Sequence, residues 1–367
     1  MVLKVVPFDA GATAAQATQS MVADRNPATV RRALDDARSA FARGPTVVSA
    51  VTASAIALGL QGRQDASLRA FRYSQELSRR DVQTQLALIE HQVAGGNIVG
   101  ALEHYDTILR SSDRIKSILF PILTNASADP AIARQLNLVL RRKPNWWREY
   151  LTWFLGASSN PMAIALLPRA VLDPDVDEDR TLILRQLQLL AQAERYDLLW
   201  STYQRLGVAD AAPMALLRDG NFEGNRGFPP VDWHYAETGE LSPERRQLDA
   251  GPGSALYLPM EASSHGKVAE QLLRLSSGTY EFRAETGDVP SDPARRPFVR
   301  VSCAGAGQRV IMRHDFPRGD GEGGIIVARF DVPRSCPYQW LSIFVRGGLD
   351  EALAEPPWIA ALSLRQL

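Results

Sequence analysis

The spacing of apolar residues divides the chain into two parts with different periods. Across residues 27–210, apolar residues recur at positions i, i+3, i+4 and i+7 between short polar, Gly or Pro turns, as in amphipathic helices. From about residue 214, short alternating stretches are separated by Gly, Pro, Asp and Ser clusters, which is typical of a β-sandwich. The sequence therefore predicts a multidomain all-α plus all-β protein: an N-terminal segment (1–26), a helical domain (27–210) and a β-sandwich (214–367).

The helical part contains an internal repeat. Two copies begin at Gly62 ("GRQDASLRAF") and at Gly96 ("GNIVGALEHY"), 34 residues apart, and Phe71 of the first copy aligns with Tyr105 of the second. This period, with Gly at the turn followed by a small residue and then an aromatic one, resembles the tetratricopeptide repeat over residues 28–113. The resemblance implies an α-solenoid whose concave groove docks a protein partner. The alternative is a spacer that holds the second domain away from another structure.

An aromatic-rich segment lies in the later helices, at "NWWREYLTWF" (145–154). Its aromatic residues have the composition of a ligand-binding platform. They also cover adjacent faces of one helix, and residues in that arrangement usually pack between helices. We therefore expect most of them to belong to the core.

The β-rich part opens with a distinctive motif. "DGNFEGNRGFPPVDW" (219–233) is followed by "VAEQLLRLSSGTYEFRAET" (268–286) and by a closing strand, "WIAALSLRQL" (358–367). In this order, the motifs resemble those of carbohydrate-binding modules and related galactose-binding-like domains. The resemblance covers residues 216–367, and eight candidate strands fit its jelly roll. Many such modules hold calcium through an Asp in the last strand. That strand has no Asp here, so no metal is predicted.

A glycan-binding surface can be proposed from strand alternation. A sheet face that binds an acidic sugar needs an aromatic ring for the pyranose and arginines for uronate carboxylates. Because alternate residues of a strand share a face, the sequence suggests one face carrying Trp340, Arg283, Glu285, Arg300 and Arg346. The alternative is a solvated face on which Trp340 covers an interface with the helices.

Charge and hydropathy exclude several classes of protein. The 41 Lys and Arg residues balance the 41 Asp and Glu residues, so the chain has no overall attraction for nucleic acid. The sequence contains no run of about 18 apolar residues, the length needed for a helix to cross a membrane. The apolar start, Met1 to Pro7, is either a disordered end or the remainder of a removed membrane anchor.

The two cysteines bear on the compartment. Cys303 and Cys336 both lie beside predicted strands of the β-rich part. They form either a structural disulfide or two buried free thiols. The restriction of the pair to the β-rich part favours the disulfide, and with it a periplasmic or cell-surface location.

Catalytic motifs are not evident in the sequence. The five histidines lack metal-ligand spacing, and there is no nucleophile elbow or phosphate-binding loop. Glu281 and Glu285 are four residues apart on one strand, which separates them by about 13 Å, too far for a glycosidase pair. We therefore expect a non-catalytic chain without a cofactor.

Together these features suggest an accessory protein of bacterial extracellular polysaccharide assembly or export. The helical domain would dock a component of the synthesis or export machine, and the sandwich would bind the glycan. The alternatives are a protein–protein scaffold that binds no sugar and a glycan-modifying enzyme with an unrecognised site.

Overall fold

Helices form the first half of the chain. The computed structural model describes residues 9–168, 171–207, 216–224, 227–237, 239–248, 253–259, 264–305, 307–318, 324–347 and 355–367. Within them are twelve α-helices: α1 (Ala10–Ala23), α2 (Pro27–Arg43), α3 (Val48–Leu60), α4 (Gln64–Leu77), α5 (Val82–Ala94), α6 (Ile98–Ser111), α7 (Asp113–Ala126), α8 (Pro130–Leu140), α9 (Trp147–Ala157), α10 (Pro161–Leu166), α11 (Asp177–Gln192) and α12 (Tyr196–Gln204).

The predicted 34-residue repeat is present in the structure. Helices α3 and α5 begin and end 34 residues apart, and so do α4 and α6. Gly62 and Gly96 occupy the same turn in the two helical hairpins, with φ of 75° and 70°, a region that favours glycine. The identification of these hairpins as tetratricopeptide repeats stays an interpretation.

Several helices begin at a polar side chain that accepts hydrogen bonds from the first backbone N–H groups. Such caps satisfy donors that have no partner within the helix. Asn26 caps α2, Asp81 caps α5 and Asn97 caps α6. The boundaries of these helices are thus set by the local sequence. Helix α1 is capped in the same way by Asp9, and it lies within the segment 1–26 that precedes the predicted helical domain.

The chain separates into two units, Met1–Val171 and Leu172–Leu367. Helices α11 and α12 therefore belong to the same unit as the strands, whereas the sequence placed them in the helical domain. The boundary predicted from sequence, at 210–214, lies outside the described residues, as does the N-terminal stretch Met1 to Pro7.

The second unit contains two antiparallel sheets, which confirms the predicted all-α plus all-β fold class. Sheet 1 has the order β1-β4-β9-β6-β7, and sheet 2 has the order β2-β3-β10-β5-β8. The strands are β1 (His234–Tyr235), β2 (Glu244–Gln247), β3 (Ser254–Tyr257), β4 (His265–Leu273), β5 (Gly278–Gly287), β6 (Phe298–Cys303), β7 (Val310–Asp315), β8 (Gly324–Val332), β9 (Gln339–Arg346) and β10 (Trp358–Gln366). All eight predicted strands are present, and the short strands β1 and β2 are additional.

The sandwich core follows from strand alternation. Inward side chains of both sheets, such as Val299 and Ile343 of sheet 1 and Phe282 and Ile326 of sheet 2, form one buried apolar cluster. Their neighbours along each strand point outward; they are polar or aromatic beside Val299, Ile343 and Phe282, and aliphatic beside Ile326. Burial of alternate residues therefore fixes which side chains each sheet presents outward.

The opening motif of the β-rich part is structural. Phe222 and Trp233 lie in the sandwich core with ring centroids 5.3 Å apart. The Asp219 carboxylate accepts hydrogen bonds from the backbone N–H groups of Glu223 and Gly224, at 2.8 and 3.1 Å. The backbone carbonyl of Asp219 accepts a hydrogen bond from Trp233 Nε1. The motif thus closes one end of the sandwich, and Asp219 binds its own loop.

The two cysteines form a disulfide, Cys303–Cys336. It confirms the predicted pairing over the alternative of two free thiols. The bond joins the end of β6 to the segment just before β9, so it crosslinks sheet 1. No helix in the described part of the chain has the length and apolar character needed to cross a bilayer.

Candidate functional site: an arginine–phenylalanine cluster on sheet 1

The outward face of sheet 1 carries a pair of stacked aromatic rings. Phe298 on β6 lies directly opposite Phe344 on β9 in the strand register. Their rings are nearly parallel, with an interplanar angle of 3° and centroids 4.8 Å apart. Directly opposed side chains on neighbouring strands are close enough to pack in this way.

Three arginines lie against these rings. The guanidinium of Arg300 is 4.3 Å from the centroid of Phe344. Those of Arg313 and Arg346 are 4.2 and 4.6 Å from the centroid of Phe298. Cation–π attraction and stacking hold a guanidinium in place at these distances. We call these five residues the Arg–Phe cluster.

The cluster has excess positive charge. In the described part of the chain, one carboxylate forms ion pairs with it: Asp315, at 2.7 Å from Arg346 Nη2 and 3.9 Å from Arg313 Nε. Three guanidinium groups and one carboxylate give a net charge of +2. Arg300 Nε is buried and makes no hydrogen bond to the described residues. The cluster is therefore suited to attract an anion.

Charges next to the cluster are balanced. Lys267 and Glu270 on β4 form an ion pair with each other. Arg346 also donates a hydrogen bond to the backbone carbonyl of Pro293, at 3.3 Å. These contacts order the edge of the cluster. Arg313 and Arg346 share Asp315, and Arg300 forms no ion pair with a described residue.

The structure divides the five residues suggested from sequence between two sheets. Arg300 and Arg346 belong to the Arg–Phe cluster on sheet 1. Arg283 and Glu285 lie on β5, in sheet 2, where they face outward from the opposite side of the sandwich. The prediction that all five share one face is therefore wrong, because alternation assigns a side chain to a face but not a strand to a sheet.

Trp340 lies on sheet 1 but is covered by a helix of the same unit. Its ring contacts Tyr196 of α12 edge-on, with centroids 6.0 Å apart. Tyr338, two residues earlier, contacts both Tyr196 and Trp200. The interpretation of Trp340 as a residue that packs against helices fits these contacts better than a glycan platform.

A buried aspartate connects α12 to the strands. Asp232 accepts hydrogen bonds from Tyr203 Oη at 3.0 Å, from Arg218 Nε at 2.7 Å and from the backbone N–H of Phe228 at 2.6 Å. Burial raises the pKa of the Tyr203 hydroxyl, and the Asp232 charge raises it further. Tyr203 therefore remains a neutral donor, and α12 is held over one end of sheet 1.

The sequence did not reveal three members of the cluster, Phe298, Phe344 and Arg313, as binding residues. Phe344 shares the outward face of β9 with Trp340 and Arg346, but its stacking partner lies on another strand. Only the register between β6 and β9 brings Phe298 and Phe344 together. In the described part of the chain, no group of three or more His, Cys, Asp or Glu residues is placed to hold a metal ion.

Solved structures with a similar arrangement include sugar-binding proteins. A family 4 carbohydrate-binding module is 11% identical, with a TM-score of 0.30, over 41% of this chain and 99% of that one. A putative sugar-binding protein from Bacteroides thetaiotaomicron is 12% identical, with a TM-score of 0.31, over 42% and 100%. A family 22 xylan-binding domain is 12% identical, with a TM-score of 0.28, over 40% and 90%. No protein-family model and no curated protein matches the chain. At these identities and TM-scores, the likenesses assign no ligand to it.

Proposed function

We propose that the chain is a non-catalytic accessory protein of bacterial extracellular polysaccharide assembly or export, and that its sandwich binds an acidic glycan at the Arg–Phe cluster. The observation that carries the proposal is the set of three guanidinium groups held against two stacked rings and opposed by one carboxylate. The resemblance of the opening motif, and of the order of the sequence motifs that follow it, to carbohydrate-binding modules supports a glycan as the ligand.

The chemistry of the cluster favours a uronate. A guanidinium donates two parallel hydrogen bonds to a carboxylate, and packing against a ring reduces the side-chain entropy lost on binding. Arg300 forms no ion pair with the described residues, so its charge remains for a ligand carboxylate. A repeating acidic polymer would also gain from the net positive charge of the cluster through faster association.

The helical unit supplies a surface for a protein partner. A groove of about 620 Å³ between α3, α4 and α5 is lined by apolar Leu60, Leu68 and Phe71, with Asp65 and Glu90 at its margin. This groove supports docking to a component of a synthesis or export machine, in preference to a simple spacer. The disulfide supports an oxidising compartment, either the periplasm or the cell surface.

The runner-up is a scaffold that binds proteins through both units and no sugar. Its support is the cover that α12 places over Trp340, which shows that part of sheet 1 serves packing. A glycan-modifying enzyme is the third candidate, and it would require turnover of a polysaccharide.

The proposal is tested by calorimetry on the full chain with polygalacturonate, with the same polymer after reduction of its carboxylates, and with neutral dextran. We expect binding to polygalacturonate alone. Arg300→Ala should weaken it at least about tenfold, the value of one charged hydrogen bond, whereas Arg283→Ala on sheet 2 should not change it. If the two variants lose affinity for polygalacturonate equally, or if the folded protein binds no acidic polymer, the cluster is not the glycan-binding site.

A further inference from the structure

One tryptophan differs from the other six. All seven tryptophans lie in the described part of the chain, and Trp153 is the only one that is more than a third exposed, at 42%. The others are buried or half-buried. Nearby Trp147, for example, packs against Lys143 and Arg148. An exposed aromatic ring that lines a groove offers a ligand a flat apolar surface.

Trp153 lies in a groove of about 710 Å³ between α7 and α9. The residues of α7 that line it are spaced as one helical face, from Asp113 through Lys116 to Phe120, and the α9 residues from Glu149 to Ala157 form the opposite wall. Phe120 is fully buried and closes the base. The volume falls within the range of small-molecule sites, which combine an apolar lining with a few polar groups.

The polar groups of the groove are held in position. Lys116 Nζ donates hydrogen bonds to the carboxylates of Asp113 and Glu149, each at 2.6 Å, so it bridges the two helices. The hydrogen bond to Asp113, with that to Glu149, raises the pKa of the Lys116 ammonium. Each carboxylate keeps further lone pairs, because an ionised carboxylate accepts about four hydrogen bonds.

Space next to the ring is open. Gly156 lies one turn beyond Trp153, and a Cβ atom added there would meet nothing within 4 Å. The hydroxyls of Ser117 and Thr152 also line the groove. The groove thus presents an aromatic ring, acceptor-rich carboxylates and hydroxyl groups around an empty volume.

We propose that this groove binds a neutral pyranose residue of a polysaccharide, with the apolar face of the sugar against Trp153 and its hydroxyls donating to Asp113 and Glu149. A pyranose has one apolar face and a rim of hydroxyl donors, which matches the ring and the two carboxylates. The groove has a net charge of −1, from two carboxylates and one ammonium, so it disfavours a uronate. This site lies on the helical unit and does not depend on the Arg–Phe cluster.

A sugar matches the groove better than a peptide side chain does. An apolar side chain would leave the carboxylates and hydroxyls of the groove without ligand partners, whereas a sugar supplies hydroxyl groups to them. A basic side chain would compete with Lys116, which already occupies the space between the carboxylates. Hydroxyl donors can share the carboxylates with Lys116 without displacing it.

The test is calorimetry on the full chain with neutral hexasaccharides of glucose and mannose in several linkages, followed by variants of the groove. Trp153→Ala should reduce affinity for a bound oligosaccharide at least about tenfold, and Trp153→Phe should retain most of it. Gly156→Leu should block the groove equally well while leaving folding intact, since leucine favours a helix more than glycine does.

Two controls complete the test. Ile122→Ala changes an exposed residue of α7 outside the groove, and Arg300→Ala changes the Arg–Phe cluster; both should bind the neutral oligosaccharide as the parent protein does. The proposal is overturned if the parent protein binds none of the oligosaccharides, or if Trp153→Ala and Gly156→Leu bind normally. The parent protein and the two groove variants are also tested against an array of peptides. If a peptide binds the parent protein but not the variants, and no sugar binds, the groove belongs to a protein partner and the proposal is overturned.

Discussion

The outward faces of the two sheets use similar residues to opposite effect. On sheet 2, Arg329 pairs with Glu281 at 3.2 Å, and Asp331 accepts a hydrogen bond from Thr279 at 2.6 Å. On sheet 1, three arginines contact aromatic rings, and two of them, Arg313 and Arg346, share the carboxylate of Asp315. The arginines of sheet 1 therefore retain charge for a ligand, whereas Arg329 of sheet 2 is neutralised by Glu281 on the neighbouring strand. The number of arginines on a face matters less than what each one faces.

The two faces also differ in what covers them. Helix α12 packs over the Trp340 end of sheet 1 through Tyr196. Sheet 2 leaves Ile325 and Val327 of its edge strand β8 about half exposed. Sheet 1 is thus partly an internal surface of the unit, and its free part is the arginine-rich end. The following variants test this difference.

The largest expected effect comes from Asp232, which connects α12 to sheet 1. Asp232→Ala would leave Tyr203 Oη, Arg218 and the Phe228 N–H without their acceptor, so we expect the β unit to lose about 3–5 kcal/mol of stability. Urea unfolding of the full chain, followed by tryptophan fluorescence, measures it. Asp331→Ala removes an exposed carboxylate from sheet 2 and should change stability by no more than about 0.5 kcal/mol. Similar losses in both variants would mean that α12 contributes little to the unit.

The disulfide should have the next largest effect on stability. It crosslinks sheet 1 by closing a loop between the end of β6 and the segment just before β9. Its cysteines are 33 residues apart, and closure of such a loop stabilises a protein by about 3–4 kcal/mol. We expect the double variant Cys303→Ser, Cys336→Ser to lose about that much in urea unfolding, and reduction of the parent protein with dithiothreitol to lose a similar amount. Unfolding that is insensitive to dithiothreitol would contradict a structural role for the bond.

Much of the fold could be predicted from the sequence because it is encoded locally. The 34-residue spacing of Gly62 and Gly96 reports a turn that each helical hairpin needs, and strand alternation reports which side chains are buried. The same alternation placed Trp340 and Arg346 on one outward face, as the structure has them.

The site could be predicted only in part because it depends on long-range pairing. Arg283 and Arg300 look equivalent in the sequence, but β5 pairs with β8 and β10, whereas β6 pairs with β7 and β9. The stacking of Phe298 on Phe344 joins residues 46 positions apart in the sequence. Tyr196 covers Trp340 because α12 packs on sheet 1. The sequence left the role of Trp340 open, since no local pattern shows which helix packs on which sheet.

The smallest expected effect on stability comes from replacing one arginine on the outward face of each sheet. Arg346 is 18% exposed, pairs with Asp315, lies against Phe298 and donates to the Pro293 carbonyl, whereas Arg329 is 70% exposed and pairs with Glu281 alone. An exposed ion pair contributes little, and contact with a ring adds about 0.5–1 kcal/mol. We therefore expect Arg346→Ala to cost about 1–2 kcal/mol in urea unfolding and Arg329→Ala to cost less than about 0.5 kcal/mol. Raising the salt concentration should reduce the cost of Arg329→Ala further and leave most of that of Arg346→Ala, since ring contact is less sensitive to screening than an exposed ion pair. If the two costs are equal at all salt concentrations, the rings do not hold the arginines, and the contrast between the two faces rests on net charge alone.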